Sequence, residues 1–340
     1  MTINERVVYL LKCLKNYNDA SFREKVISIG RDGRLMYFSQ YGELNPDKRF
    51  YLIDFSGISG LGMCAFIRFT LDKLIYADFH GCIPVVRWGR YTYYSEKEDF
   101  QLKIDAFTKY YQPINPQYID EVNKSFWVCK STMGDHLFLP SQGSHESYLA
   151  DENEILRYAQ AFQKYFKESD DLKKYLAQSS FQLRGNTLGV HVRGTDYNKN
   201  FKNHPVAITT EQYIEETKRL MDSGNYSTIF LATDDATVVQ KFDEIFPGKV
   251  VYYTDAFRSE NNEAVHGSFS TRNRHEFMLG LEVLRDVYTL VECSGLIASV
   301  SNVPTLSRII KKARNLDYSD CRILYLGENH TGPKFSDPRH

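Results

Sequence analysis

A histidine, an arginine and an aspartate close one short apolar run: residues 188–196 read LGVHVRGTD and end in His191, Arg193 and Asp196. Side chains alternate along a strand, so His191 and Arg193 share a face. Arginine presents a planar fork of donors and is the natural side chain for a diphosphate. A pairing of Arg193 with Asp196 that closes a turn is the plainer alternative. Asp234 and Asp235, within LATDD, stand where a strand gives way to a helix. Carboxylates there could hold a sugar hydroxyl or simply cap the helix. Their direct adjacency weakens a metal-holding role.

Other stretches add to this set. Small polar residues ending in Ser301 and Asn302 follow the apolar run near 296–300, and such a turn leaves backbone N–H groups for a phosphate. Gly57, Gly60 and Gly62 form a turn that lets a backbone approach a ligand closely. Their spacing is not GxGxxG, and the acid expected at a ribose would be Asp78, at the end of a helix. A nicotinamide cofactor is therefore rejected. Arg272 and Arg274 precede a long helix, where cations oppose the dipole. A ligand role and a merely solvated one fit them equally.

The elements that must position these residues follow from the hydrophobic pattern. Strands are expected at 49–55, from 81 to about 86, and at 187–192, 228–233, 249–253 and 296–300. Helices are expected at about 63–79, 152–178, 210–223, from 234 onward, at 276–291 and at 304–314. Residues 90–150 read as loops and short helices. Strands that alternate with helices imply parallel sheets with right-handed crossovers. The expected fold is α/β, with two Rossmann-type units facing a cleft. Residues 1–178 would form the first, 179–316 the second, and 317–340 a tail packing back on the first.

Bulk properties narrow the function classes. The chain has 340 residues and a formal net charge of −1, so no overall basic field argues for nucleic acid. The 24 Tyr and 22 Phe could line a carbohydrate groove, although core packing accounts for most aromatics. No run of about 18 apolar residues predicts a membrane span, and the first residues lack the pattern of a signal peptide. The six Cys are scattered without a CxxC pair, which disfavours a zinc site or a disulfide framework. A cytoplasmic location is the expectation.

Taken in order, these stretches resemble the α-1,6-fucosyltransferases, the group of core N-glycan and nodulation-factor fucosyltransferases. The likeness rests on the glycine turn and helix at 57–69, on HVRGTD at 191–196, on LATDD at 231–235, on the strand and serine turn at 296–302, and on the His204–Pro205 pair. It covers roughly residues 50–315. The resemblance implies a GT-B-like fold and an inverting, metal-independent transfer of fucose from GDP-fucose to a hydroxyl of a glycan or glycolipid. No cofactor is implied beyond the donor substrate. It implies Arg193 at the β-phosphate, His191 and Asp286 at guanine, with Glu282 as the alternative acid. Gly60, Gly62, Asp234, Asp235, Arg274, Ser301 and Asn302 would complete the donor site. The chain has Gly194 where the family has a second Arg, and Tyr197 where it has a Lys. It also lacks the family's Glu after the motif, and Asp196 is the substitute base. Another nucleotide sugar, or a degenerate nucleotide- or glycan-binding module, is the rival expectation. Partners would be a nucleotide sugar and its acceptor, without nucleic acid or a membrane span, with peripheral membrane association as a further expectation.

Overall fold

The computed structural model describes residues 36, 38–56, 61–89, 94–131, 152–179, 183, 186–193, 202–259 and 270–332. Two sheets organise them. The first has the order β1-β4-β2-β3, built from β1 (Phe38–Ser39), β2 (Leu44–Asp54), β3 (Ile83–Arg87) and β4 (Ser125–Lys130). Strands β4, β2 and β3 run parallel and β1 is antiparallel to β4. The second has the order β7-β6-β5-β8-β9, with β5 (Thr187–Val192), β6 (Thr228–Thr233), β7 (Val250–Val251), β8 (Gly295–Ser299) and β9 (Asp320–Leu324). All neighbours in it are parallel.

The physical reason for parallel strands is visible in their composition. Strand β5 is buried along its whole length, as is β8. A strand covered on both faces needs helices on both sides, which is what parallel crossovers supply. The covering helices are α1 (Met63–Phe79), α2 (Lys97–Leu102), α3 (Ala106–Tyr110), α4 (Glu152–Tyr165), α5 (Asp170–Ser179), α6 (Thr210–Asp222), α7 (Ala236–Ile245), α8 (His275–Glu292) and α9 (Asn302–Ala313). Gly189 shows how tight the cover is. A Cβ there would lie 2.9 Å from a methyl carbon of Leu290 and 3.2 Å from Cys293, on and just beyond α8.

One core cluster joins the first sheet to helices of the second half, while the second sheet has clusters of its own. Phe66, Leu71 and Trp88 of the first half cluster with Leu284, Val287 and Ile309 of α8 and α9. Helices α1, α4, α8 and α9 therefore form a common layer rather than two separate linings. Side chains tie the layer at its ends. Arg274, in the left-handed region at φ 53°, begins α8 without a side-chain cap. Glu96 of the first half fills that gap by accepting from the Phe277 amide at 2.9 Å. Its carboxyl also meets Glu276 and is pushed up to about 7 by burial and by that neighbour.

Several expected elements are observed with small shifts, and helix α1 at 63–79 and strands β5 and β6 have the expected bounds. The long helix expected at 152–178 is two, α4 and α5, because residues 166–169 turn the chain, with Ser169 Oγ accepting from the Leu172 amide to start α5. Strand β4 lies in a region read as loops. The tail differs most. Residues 320–324 add β9 to the edge of the second sheet, in register Gly295↔Asp320 to Ser299↔Leu324. Beyond them, Asn329 donates its amide to His204 and accepts from Asn203, both at 2.8 Å. Backbone pairing with an edge that β8 leaves open fixes this segment, and its mixed polar sequence gave no periodic signal. Among the described residues, no helix is long and apolar enough to cross a membrane.

Candidate functional site

The order of the second sheet marks where a ligand belongs. The chain runs from β5 outward to β6 and β7, then returns to β8 on the other side of β5. That reversal is a topological switch point, and open α/β sheets bind ligands in the crevice at the carboxyl ends of the two central strands. His191 and Arg193 stand at the end of β5, and Ser301 and Asn302 at the end of β8. The sequence-derived residues thus flank the switch point from both sides.

Each is presented by local structure. His191 lies one residue before the end of β5 and pairs in register with Ala298. It is buried, and its Nδ1 has no hydrogen-bond partner. Burial, assisted by the charge of Arg193, lowers its pKa to about 3, so the ring is neutral at pH 7. Arg193 lies within electrostatic range of Cys64 on α1, Tyr213 on α6 and His191. Ser301 is the N-cap residue of α9 but makes no capping bond with its side chain. Its Oγ is buried without a partner. A 12-residue helix thus begins without a cap from its own N-cap side chain, whose hydroxyl is unpaired, an arrangement suited to an anion. Asn302 Oδ1 accepts from Arg68 Nε of α1 at 2.8 Å.

Helix α8 brings in carboxylates. Glu282 is committed: Arg272 holds it at 2.5 Å, and the Phe257 amide donates to it at 3.4 Å. Asp286, one turn further, makes no hydrogen bond or ion pair with any described residue and is partly exposed. Burial pushes it up to about 7 and the acids Glu282 and Asp255 add to this, while Arg285 and Arg258 oppose it. Its charge, like that of Arg193, reaches Cys64. The residue before it, Arg285, is locked by two bonds to Asp255 at 2.9 and 3.0 Å and lies 3.7 Å over the Tyr253 ring.

Other candidates are placed differently. Asp235 caps α7: its carboxylate accepts from the Thr237 amide at 2.8 Å and from the Thr237 hydroxyl at 2.7 Å. Asp234 accepts from the Ser259 amide through its carbonyl, so both acids anchor the segment ending at Ser259. Asp235→Ala is expected to cost about 1 kcal/mol of unfolding free energy through loss of the cap. Urea denaturation checks it, and an unchanged midpoint would remove the capping role. Arg274 is exposed at the start of α8, its guanidinium 4.3 Å over the Phe277 ring. It stands roughly 18 Å along the helix from Asp286 at about 1.5 Å per residue. Gly62 begins α1, and a Cβ there would meet only the Tyr94 hydroxyl, at 3.8 Å. Packing among the described residues therefore does not require glycine at that position. Asp196 and Gly60 lie outside the described residues. Among the described residues, no group of three or more His, Cys, Asp or Glu is placed to hold a metal.

The structure adds residues that the sequence reading passed over. Arg68 reaches the start of α9 from the first half, and Tyr213 hydrogen-bonds at Ser299, at the end of β8. A signal for Arg68 was present: Cys64, Arg68 and Asp72 recur at four-residue spacing and share one face of a largely apolar helix. A cavity of about 230 Å³ lies elsewhere, between α4 and the later part of α9. Its three cations are already engaged: Lys312 by Asp317 at 2.5 Å, Arg308 by Glu152 at 3.4 Å, and Lys311 by the Val291 and Cys293 carbonyls at 2.8 Å.

No family model matches the chain, and no curated protein matches it. Solved structures similar to it are fucosyltransferases. One is the fucosyltransferase NodZ from Bradyrhizobium, 14% identical with a TM-score of 0.46, covering 77% of this chain and 92% of that one. Another is the NodZ α-1,6-fucosyltransferase co-crystallized with GDP, at 15% identity and a TM-score of 0.46, covering 78% and 92%. POFUT1 in complex with GDP-fucose is 12% identical with a TM-score of 0.40, covering 83% and 99%.

Proposed function

We propose that this chain is a glycosyltransferase with a GT-B-like arrangement that transfers fucose from GDP-fucose to a hydroxyl of a glycan or glycolipid, with inversion and without a metal. The observation that carries the reading is the convergence at the β5–β8 switch point. Arg193 and His191 at the end of β5, and Ser301 with its unpaired hydroxyl at the start of α9, support it, as does Asp286, whose charge reaches the same Cys64 as that of Arg193.

The chemistry assigns each a part. Glycosyl transfer builds positive charge on the sugar and negative charge on the departing diphosphate. Oriented N–H donors and a guanidinium stabilise that charge as it develops, at no cost in reorganisation. Arg193 and the start of α9 take this role. Guanine presents two adjacent N–H donors on one edge, and a carboxylate accepts both. Asp286 takes that edge, because Glu282 is held by Arg272. His191, neutral and with a vacant Nδ1, is suited to a polar atom of base or phosphate. The acceptor hydroxyl must lose its proton to a base on the opposite face of the sugar, and Asp196 is proposed for it.

Titration calorimetry with GDP in the presence of a chelator tests the reading. Binding in the micromolar range is expected, with weaker binding of ADP and UDP. Slow release of GDP from GDP-fucose in the absence of acceptor would show that the donor bond is broken. Absence of GDP binding would overturn the proposal, and a preference for another nucleoside diphosphate would reassign the donor.

A further inference from the structure

Segment 94–110 of the first half meets the start of α8 through one compact set of contacts. Tyr110, buried on α3, points its hydroxyl at the carbonyls of Tyr94 and Phe277, each 3.2 Å away. Gly280 admits that hydroxyl, because a Cβ there would collide with it. The buried Phe277 ring packs 5.3 Å from the Tyr110 ring, with Lys109 at 4.7 Å and Arg274 at 4.3 Å from its centroid. Glu96, the N-cap of α2, accepts from the Phe277 amide at 2.9 Å. The joint stands at the head of the helix that carries Glu282 and Asp286.

One contact in this joint is between like groups. The Glu96 carboxyl hydrogen-bonds the Glu276 carboxyl, one residue before the amide it already holds. Two carboxylates offer acceptors alone, so a hydrogen bond between them needs a proton on one. The charged groups around them leave that need in place. Asp99 accepts from the backbone amide of Glu96 at 2.7 Å and pairs with Lys109, so this cation is shared with another acid. Arg274 lies over the face of the Phe277 ring. Tyr110 faces Tyr94, Glu96, Asp99 and Arg274, and burial keeps its hydroxyl protonated. Burial first and Glu276 second push the Glu96 carboxyl up to about 7, against the opposing pull of the Phe277 amide and Lys109.

We propose that Glu96 and Glu276 form a proton-held latch between the two halves of the chain: sharing one proton they tie segment 94–110 to the start of α8, and without it they repel. The inference does not depend on which ligand the crevice takes. Its sign follows from the direction in which folding moves the acid. A carboxyl raised in the folded state contributes stability that is complete below about pH 4 and is lost as the pH rises to about 7. The joint is therefore tight in mild acid and loosens toward pH 8, and α8 is the element on which that change acts.

Thermal unfolding of wild type, Glu96→Gln, Glu276→Gln and the double variant tests this, recorded from about pH 4.5 to about pH 8. Glutamine keeps the carbonyl that accepts from Phe277 and adds an N–H for the neighbouring carboxylate, so it copies the protonated pair at every pH. Glu96→Gln should melt within about 1 °C of wild type at the acid end and about 2–5 °C above it at the alkaline end, the range for a half-buried pair in a chain of this size. The double variant should gain no more than either single one, because either substitution removes the pair. Asp286 titrates in all four proteins and cancels from the differences. Amide exchange at Phe277, corrected for its intrinsic rate, should lose protection toward alkaline pH in wild type and keep it in Glu96→Gln. If Glu96→Gln does not fold, Glu276→Gln carries the same comparison. A melting difference equal at every pH, additive gains in the double variant, or Phe277 protection in wild type that ignores pH would overturn the inference and leave Glu96 a plain cap of α8.

Discussion

Arg193→Ala is expected to lower turnover of a nucleotide-sugar donor by about a hundred- to a thousand-fold, or roughly 3–4 kcal/mol of transition-state stabilisation. The reason lies in where the charge develops. In the bound donor the diphosphate already carries charge, and part of the interaction with Arg193 is present before reaction. As the bond to the sugar breaks, the bridging oxygen becomes more negative and the interaction strengthens. The larger effect is therefore expected on turnover and the smaller on donor affinity. Arg193→Lys should fall between, since lysine returns a charge but no paired donors. His191 has its pKa lowered first by burial and only second by Arg193, so it should stay neutral at pH 7 in the variant. Steady-state kinetics with varied donor, beside thermal unfolding to confirm folding, measure this. A folded Arg193→Ala enzyme with full activity would remove the assignment of the leaving-group site.

Asp286→Asn is expected to weaken GDP binding and to stabilise the free protein, two opposite effects from one carboxyl. Burial raises the folded-state pKa of Asp286 to about 7, above the usual carboxylate range. A raised folded-state pKa means that the folded form favours the protonated acid. The stability it contributes is full below about pH 4 and is lost as pH rises to about 7. Asparagine cannot ionise and keeps that contribution. At pH 8 the variant should be more stable by on the order of 1–3 kcal/mol, once partial exposure screens the shift, and at pH 4 the two should coincide. Binding runs the other way. Guanine needs an ionised acceptor, so GDP affinity should climb from pH 5.5 to about 7 and then level off. The variant should lose about ten- to a hundred-fold at pH 8, the scale of hydrogen bonds to a charged group, and should show a flatter profile. Titration of the phosphate of GDP itself is common to both proteins, so the difference between the profiles reports the carboxyl. Parallel profiles, or a variant less stable at pH 8, would place Asp286 outside the base site.

Much of the second sheet was legible because its signals are local. Residues 187–192 and 228–233 are apolar runs bounded by polar turns, and both formed strands with those bounds. Helix 63–79 announced itself through its period and the glycines before it. The misses share a different character. Strand β4 is six residues within an irregular aromatic region, and β9 is an edge strand with little apolar surface. Such strands are held by partners distant in the chain, and no window of sequence contains those partners. The pairing of residues 320–324 with β8 was for that reason not foreseen.

For the site, the chain itself determined the identity of the strand-end groups. A histidine and an arginine two residues apart stand at and just past the end of β5, and Ser301 stands at the start of a helix. Tertiary structure decided which of these groups are available. Asp234 and Asp235 read as ligand candidates, yet Asp235 spends its carboxylate on Thr237 and both anchor the segment ending at Ser259. Glu282 and Asp286 lie one turn apart and cannot be told apart by spacing, yet Arg272 takes the first and leaves the second. Arg68 lies 234 residues from Asn302 in sequence and meets it only because α1 and α9 pack in one layer. Side-chain chemistry is carried by the residue, but whether a polar group is spent or free depends on partners brought together by folding.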